Sequence, residues 1–306
     1  MRLVPEVRGI LWSTLRGLAA DIGDKNLGLI SAGVAFFSML SLFPALAAFV
    51  AIWGLFSDPV VVSEQLEVLR PLVPADVYSL IEVQLTGIAG AQNQTLGWAG
   101  VLSILLALWS ARAGVGAMMM GLNAIFEEKN RGGLAHYATA LGLTVALVCV
   151  GMVAMLAVVI TPIILAFIPL GPIASITAEA LRWLIGIFVI FVGIALLYRY
   201  GPNRRGPKLP WITPGAILSV ICWIAVSIAF SVYISQFDSY NKTYGSIGAV
   251  IAMLMWLYLS SFLVLLGAGL NAHLELRTRI DTTVGEDRPM GQRGAYVADN
   301  LIETKP

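Results

Sequence analysis

Six long apolar stretches, separated by short polar joints, occupy the chain from Leu27 to Leu270 and dictate its solvent. The first, Leu27 to Phe56, has no ionisable residue. At about 1.5 Å per residue it exceeds the roughly 30 Å hydrocarbon core of a bilayer, so it must tilt, kink or protrude. The others run approximately from Leu96 to Leu122, Tyr137 to Ile160, Ile176 to Tyr198, Ile212 to Ile234 and Ser246 to Leu270. Their hydrophobicity is continuous, without the period-2 alternation of a transmembrane barrel, and in lipid only helices or closed barrels satisfy every backbone group. The expected fold class is all-α: a polytopic bundle of six transmembrane helices. With 58% hydrophobic and only 12% charged residues, the composition is that of a membrane protein.

Basic residues outside the spans set the expected orientation, because cytosolic segments retain Lys and Arg. Arg2, Arg8, Arg16 and Lys25 precede the first span, and Lys129 and Arg131 follow the second. Arg199, Arg204, Arg205 and Lys208 follow the fourth, and Arg277, Arg279, Arg288, Arg293 and Lys305 follow the sixth. The opposite loops hold only Arg70 and Lys242. Both termini are therefore expected in the cytosol.

Residues 1–26 carry no core or cleavage site of a signal peptide. Val4, Val7, Leu11, Leu15, Leu18 and Ile22 recur at helical spacing, which suits a helix lying in the headgroup layer or one docked on the bundle. Within the membrane region 27–276, the outer segment 57–95 is too long for a simple joint. Its apolar residues recur at helical intervals around Pro71 and Pro74, as expected of a helical cap over the bundle mouth. The polar tail 277–306 is expected to be cytosolic and loosely ordered. Cys149 and Cys222 fall inside spans and carry no redox role in this reading.

Arg112 is the most costly side chain in the sequence, well inside the second span with no acidic residue at the apolar centres. A central charge costs at least about 2.5–3.5 kcal/mol on insertion scales, so something must solvate it. Small neighbours, Ser110, Ala111, Ala113, Gly114, Gly116 and Ala117, leave room for a ligand or for close packing. One reading is an anion site, such as a lipid phosphate held bidentately; the other is snorkelling to headgroups or bonding to carbonyls.

Ser38 and Ser41 precede Pro44, whose missing N–H frees the carbonyl near Leu40 for a hydroxyl, water or ligand. Pro44 is either a fixed kink serving packing or a gating hinge. Between the fifth and sixth spans, Asp238, Asn241, Tyr244 and Gly245 belong to the densest polar and aromatic cluster beside the membrane. They read as an outer site with Gly245 as a hinge, or as ordinary interfacial anchors. On the inner side, Arg199 sits in a basic aromatic turn suited to anionic lipids. His136 and His273 lie near span ends, with Glu127, Glu128 and Glu275 near in sequence. No HExxH pair, Cys/His cluster or Walker loop occurs, so neither a metal nor any other cofactor is expected.

Several ordered signatures carry a family resemblance: Ala32 to Pro44; Leu108-Trp109-Ser110-Ala111-Arg112 followed by Leu122-Asn123; Tyr198-Arg199-Tyr200-Gly201-Pro202-Asn203; Pro214-Gly215-Ala216; Tyr240-Asn241 with Gly245-Ser246; then Trp256-Leu257-Tyr258 and Leu266-Gly267-Ala268. Together they resemble the YihY/BrkB family of bacterial inner-membrane proteins, and they bring Asn123 onto the list of candidate binding residues. The resemblance implies six spans and a bacterial plasma membrane. That family has carried a ribonuclease BN label and an association with virulence. A metal-dependent nuclease needs clustered acidic or histidine ligands and a basic surface for RNA, and this sequence shows neither, so no nucleic-acid partner is expected.

The function expected first is transport or flipping of an anionic lipid or other amphiphile, with Arg112 as headgroup ligand. The alternative is a non-enzymatic envelope adaptor that recruits a protein partner through 57–95, and a homo-oligomer fits either. An intramembrane enzyme comes last, because the spans contain no acidic pair, histidine cluster or activated serine.

Overall fold

A computed structural model describes residues 3–56, 93–166, 172–208, 213–235 and 246–301. The outer segment expected as a cap falls almost wholly outside them, as do Asp238, Asn241, Tyr244 and Gly245. The described chain is helical: α1 (Leu3–Asp24), α2 (Leu27–Phe56), α3 (Asn93–Ile125), α4 (Gly133–Ala166), α5 (Pro172–Tyr200), α6 (Pro214–Ser235), α7 (Ser246–Glu275) and the short α8 (Tyr296–Asp299). Among the described residues the only strand-like feature is an antiparallel bridge between Pro207 and Thr283.

Each expected span matches one long helix, α2 to α7, the fifth apart from Ile212, which lies outside the described residues. Among the described residues five stretches of helix are long and apolar enough to cross a membrane; a sixth crossing is reached if the bent pair Ser13–Asp24 and Leu27–Leu42 counts as one span. That pair turns through 62°. Asn26, at φ 52°, makes the turn, and asparagine is among the few residues that tolerate the left-handed region. Past this elbow α2 runs without interruption through Pro44 to Phe56.

In the bundle α2 packs along α3 and α7, α7 along α6, and α4 bridges α3 and α5. Its core gathers toward one end, where Leu27, Leu122, Ile125 and Leu265 are enclosed. This basal end also carries the elbow, the α3–α4 and α5–α6 joints and the segment after α7. Elsewhere large apolar side chains face outward, among them Trp98, Leu105 and Ile228, and burying them in lipid completes what the protein interior does not.

α6 and α7 approach at backbone contact. A Cβ on Gly215 would stand 2.0 Å from the Gly267 carbonyl oxygen, and one on Gly267 would stand 2.0 Å from Ser219 Oγ. Only glycine fits on either side, as in small-residue contacts of membrane helices generally. Around this contact Tyr198 Oη donates to the Val264 carbonyl at 2.7 Å and lies 2.9 Å from Ser219 Oγ. Asn271 accepts from the Gly215 N–H at 2.8 Å and donates to Thr213 Oγ1 at 2.9 Å.

The expectation of a loosely ordered tail is corrected over 277–301. This segment folds back on the α5–α6 joint into a small lobe in which Asp281, Thr283, Arg293 and Val297 are buried. It has few apolar residues, and polar bonds do what a hydrophobic core does elsewhere. Arg204 and Glu275 form a bidentate pair, both bonds 2.8 Å, with side chains 1% and 8% exposed. The Arg204 guanidinium also stacks on Phe126 at 4.8 Å, and Thr282 Oγ1 donates to Glu275. Arg293 donates to the carbonyls of Arg279, Arg288 and Ala298. The Asp281 carboxyl, accepting first from the Thr283 N–H and then from the Arg288 N–H, is held well below the usual carboxylate range.

α1 docks on the basal end of α7. Thr14 and Leu18 are buried, and Gly17 lies against the His273 ring, which would stand 2.6 Å from an added Cβ.

Candidate functional site

Where α3 faces the start of α4, Arg112 is held between two aromatic rings. Its guanidinium carbon lies 4.5 Å from the centroid of Trp109, one turn back on α3, and 4.5 Å from that of Tyr137 on α4. Residues three apart share a helix face, which explains Trp109. Tyr137 reaches the same spot because α3 and α4 are joined by a tight turn. α3 ends in a Schellman motif, with Glu127 left-handed at φ 56° and the Glu128 N–H donating to the Asn123 carbonyl at 2.9 Å.

Tyr137 lies only four residues past Gly133, the first residue of α4, so the guanidinium sits about 6 Å along α4 from its start. Counted along α3 alone, Arg112 looks central. Measured against α4 it lies toward the basal end. His136 occupies the neighbouring position between the helices, its Nε2 3.2 Å from where a Gly116 Cβ would stand, and its ring meets Tyr137 edge-on at 6.0 Å.

Two cation–π contacts contribute together about 1–4 kcal/mol, comparable to the insertion cost of about 2.5–3.5 kcal/mol. The rings can therefore keep Arg112 in place without a counter-ion. They set their π-faces against the cation and give its N–H groups no acceptor. Nε is enclosed and has no hydrogen-bond acceptor, and among the described residues no carboxylate pairs with the group. Trp109 and Tyr137 are themselves 66% and 52% exposed, so the sandwich opens on the lipid-facing side of the bundle.

The other sequence candidates have different surroundings. Ser41 Oγ donates to the Ser38 carbonyl at 2.7 Å and is not turned to the carbonyl near Leu40. Ser38 lies against Gly114, where its Oγ would be 3.2 Å from an added Cβ, so it takes part in the α2–α3 contact. Asn123 is buried in a joint: its Oδ1 accepts from the Asn203 N–H at 2.7 Å and its Nδ2 donates to Asn130 at 2.9 Å. Beside it Arg131 donates to the carbonyls of Tyr200, Gly201 and Pro202, closing the end of α5. Arg199 is exposed near the Tyr200 ring, 5.5 Å away. Arg112 is thus the one candidate, among those described, brought together with a constellation of other side chains at the lipid surface.

Sequence reasoning missed Tyr137 and Trp109 as partners of Arg112, although the Trp109-x-x-Arg112 spacing carries half of the signal. It also missed the pairing of His273 with Asp21. His273 Nε2 donates to Asp21 Oδ2 at 2.9 Å, and Lys25 joins the same carboxylate at 3.3 Å. Nearby, Glu128 accepts from the Tyr296 N–H at 2.8 Å; burial pushes its carboxyl up, against the pull of that bond. Among the described residues no three or more His, Cys, Asp or Glu side chains come together as metal ligands.

The sequence profile described as "Virulence factor BrkB" matches residues 18–290, a range that takes in the elbow, helices α2 to α7 and the first half of the lobe. The chain belongs to the BrkB family. A BrkB relative from Bacillus subtilis strain 168, called a putative ribonuclease-like protein YfkH, is 34% identical over 259 residues, covering 82% of this chain and 90% of its own. A UPF0761 membrane protein from Xanthomonas oryzae pv. oryzae is 42% identical over 86 residues, 28% of this chain and 20% of that protein. Another, from Idiomarina loihiensis, is 33% identical over 93 residues, 30% and 32% of the two chains. The match to these UPF0761 proteins thus spans a third or less of their length. No solved structure matches the chain. Membership of BrkB and the apolar helices together make this an integral, multi-pass membrane protein.

Proposed function

We propose that this BrkB protein handles an anionic amphiphile of the bilayer, transporting or flipping it, and that Arg112 receives its charged group. The observation that supports this reading is the Arg112 guanidinium set against two lipid-exposed aromatic rings, its Nε enclosed and its N–H groups bonded to no acceptor among the described residues. An arginine kept for folding would be expected to spend its N–H groups on backbone carbonyls, as Arg131 and Arg293 do. A guanidinium edge with free donors prefers an oxyanion, and in this setting the abundant oxyanions belong to lipid headgroups. With the basal end in the cytosol of a bacterial cell, as the distribution of basic residues suggests, the amphiphile would meet Arg112 from the inner leaflet. Catalysis plays no part in this proposal. The name ribonuclease-like belongs to the B. subtilis relative, and here the basal acids Glu275, Asp281 and Asp299 are engaged in holding the lobe.

Proteoliposomes test the proposal. Headgroup-labelled anionic lipid should cross faster with the wild-type protein than in protein-free vesicles, and Arg112→Gln, folded and inserted, should abolish the gain. If no anionic or zwitterionic lipid moves faster with folded wild-type protein, the transport reading fails and recruitment of a partner becomes the reading to pursue.

A further inference from the structure

We infer that the amphiphile is a phosphodiester lipid of the basal leaflet, its phosphate on the N–H edge of Arg112 and an acyl chain lying in an apolar strip that leads away along α3 and α4. The inference rests on the lipid-handling reading and adds the ligand's class and pose.

The strip is a property of two helix faces. On α3, Trp109, Leu105 and Leu102 follow one another at helical spacing and are 66%, 58% and 59% exposed. On α4, Leu141, Val145 and Val148 continue the face of Tyr137, each more than 40% exposed. The two helices run antiparallel, so residues preceding Arg112 and residues following Tyr137 lead in one direction, away from the basal end. From Arg112 to Leu102 is about 15 Å and from Tyr137 to Val148 about 16 Å. Each matches half of the roughly 30 Å hydrocarbon core, the depth of one leaflet. A lipid of the basal leaflet meets the cation with its headgroup and the strip with its tail. A lipid of the other leaflet carries its charge at the far end of both helices.

The chemistry favours phosphodiester over carboxylate. Both oxyanions fit the guanidinium fork. A fatty carboxylate drawn beneath the headgroups loses solvation, which raises its pKa until pairing with the cation opposes the shift, whereas a phosphodiester is a strong acid and stays ionised throughout. The latter therefore reaches Arg112 already carrying its full charge. His136 lies between α3 and α4 against Gly116, one turn nearer the basal end than Arg112.

Delipidated full-length protein in uncharged detergent, titrated by native mass spectrometry, tests the inference with four probes: dioleoyl phosphatidylglycerol, oleate, glycerophosphoglycerol without acyl chains, and inorganic phosphate. Wild type should bind the phosphatidylglycerol at least about tenfold more tightly than oleate and should ignore the two chainless anions. Arg112→Gln should lower the phospholipid to the level of oleate. Arg112→Lys retains the charge but loses the fork and should lie between; it also serves if the glutamine variant does not fold. Equal binding of oleate, competition by either chainless anion, or unchanged phospholipid binding by both variants would overturn the inference. Translocation is read in parallel. Arg112-dependent binding without movement upholds the ligand and removes the transport reading, and movement without Arg112-dependent binding does the reverse.

Discussion

Arg204→Ala should free the lobe while leaving the membrane helices in place. The substitution removes two bonds of 2.8 Å and a stack on Phe126, and it leaves the Glu275 carboxylate, 8% exposed, with the Thr282 hydroxyl as its remaining polar partner. Breaking a buried ion pair from one side typically costs about 3–5 kcal/mol, because the surviving charge is desolvated without compensation. At about 1.36 kcal/mol per factor of ten, lobe opening should become roughly two to four orders of magnitude more frequent. Amide hydrogen exchange of the protein in micelles reads this directly. The Val284 N–H, bonded to the Gly206 carbonyl, and the Arg205 N–H, bonded to the Gly294 carbonyl, join the two halves of the lobe. Both should lose protection while amides in α3 and α7 keep theirs. Arg204→Met combined with Glu275→Leu should recover much of the loss, since replacing both charges removes the desolvation penalty. Exchange within about threefold of wild type in the single variant would refute the assignment of the lobe's stability to this pair.

Three further outcomes follow from the same geometry. Gly267→Ala, whose methyl would meet Ser219 Oγ at 2.0 Å and the Gly215 carbonyl at 2.3 Å, should destabilise the α6–α7 contact by about 1–3 kcal/mol and lower the melting temperature in micelles, whereas Gly133→Ala, with open space around it, should not. Tyr198→Phe deletes a buried bond within the membrane and should cost about 0.6 kcal/mol and no more than about 1.7, read by the same melting measurement. The depressed Asp281 carboxyl contributes stability in full above the ordinary aspartate value of about 4 and loses it as pH falls toward its native value. Protease protection of 276–301 should therefore hold from pH 7 to 5 and fall below about pH 4; Asp281→Asn should be susceptible already at pH 7.

The membrane helices were legible in the sequence because continuous apolar runs have one structural solution in lipid. Arg112 was legible as an anomaly for the same reason. Its surroundings were not, since Tyr137 reaches it through the register of two antiparallel helices, and that register is set by the turn at Glu127, a left-handed position without the usual glycine. Asn123 came in through the resemblance, and its three-way joint with Asn130 and Asn203 has no local signal because it depends on a loop 80 positions away. The tail misled in a different way. Low hydrophobicity normally means disorder, but Asp281, Arg293 and Asp299 each bind several backbone groups, and such networks have no periodicity to read.

The lobe also bears on how the protein is made. Arg204 emerges from the ribosome well before Glu275, its partner, and Glu128 earlier still before the Tyr296 amide that it binds. Until residues 275–296 have emerged, the basal face presents a guanidinium and a carboxylate without the groups that match them. A chain cut before Glu275 would thus display these polar sites to the quality-control machinery, and docking of the lobe hides them, making it a seal on biogenesis.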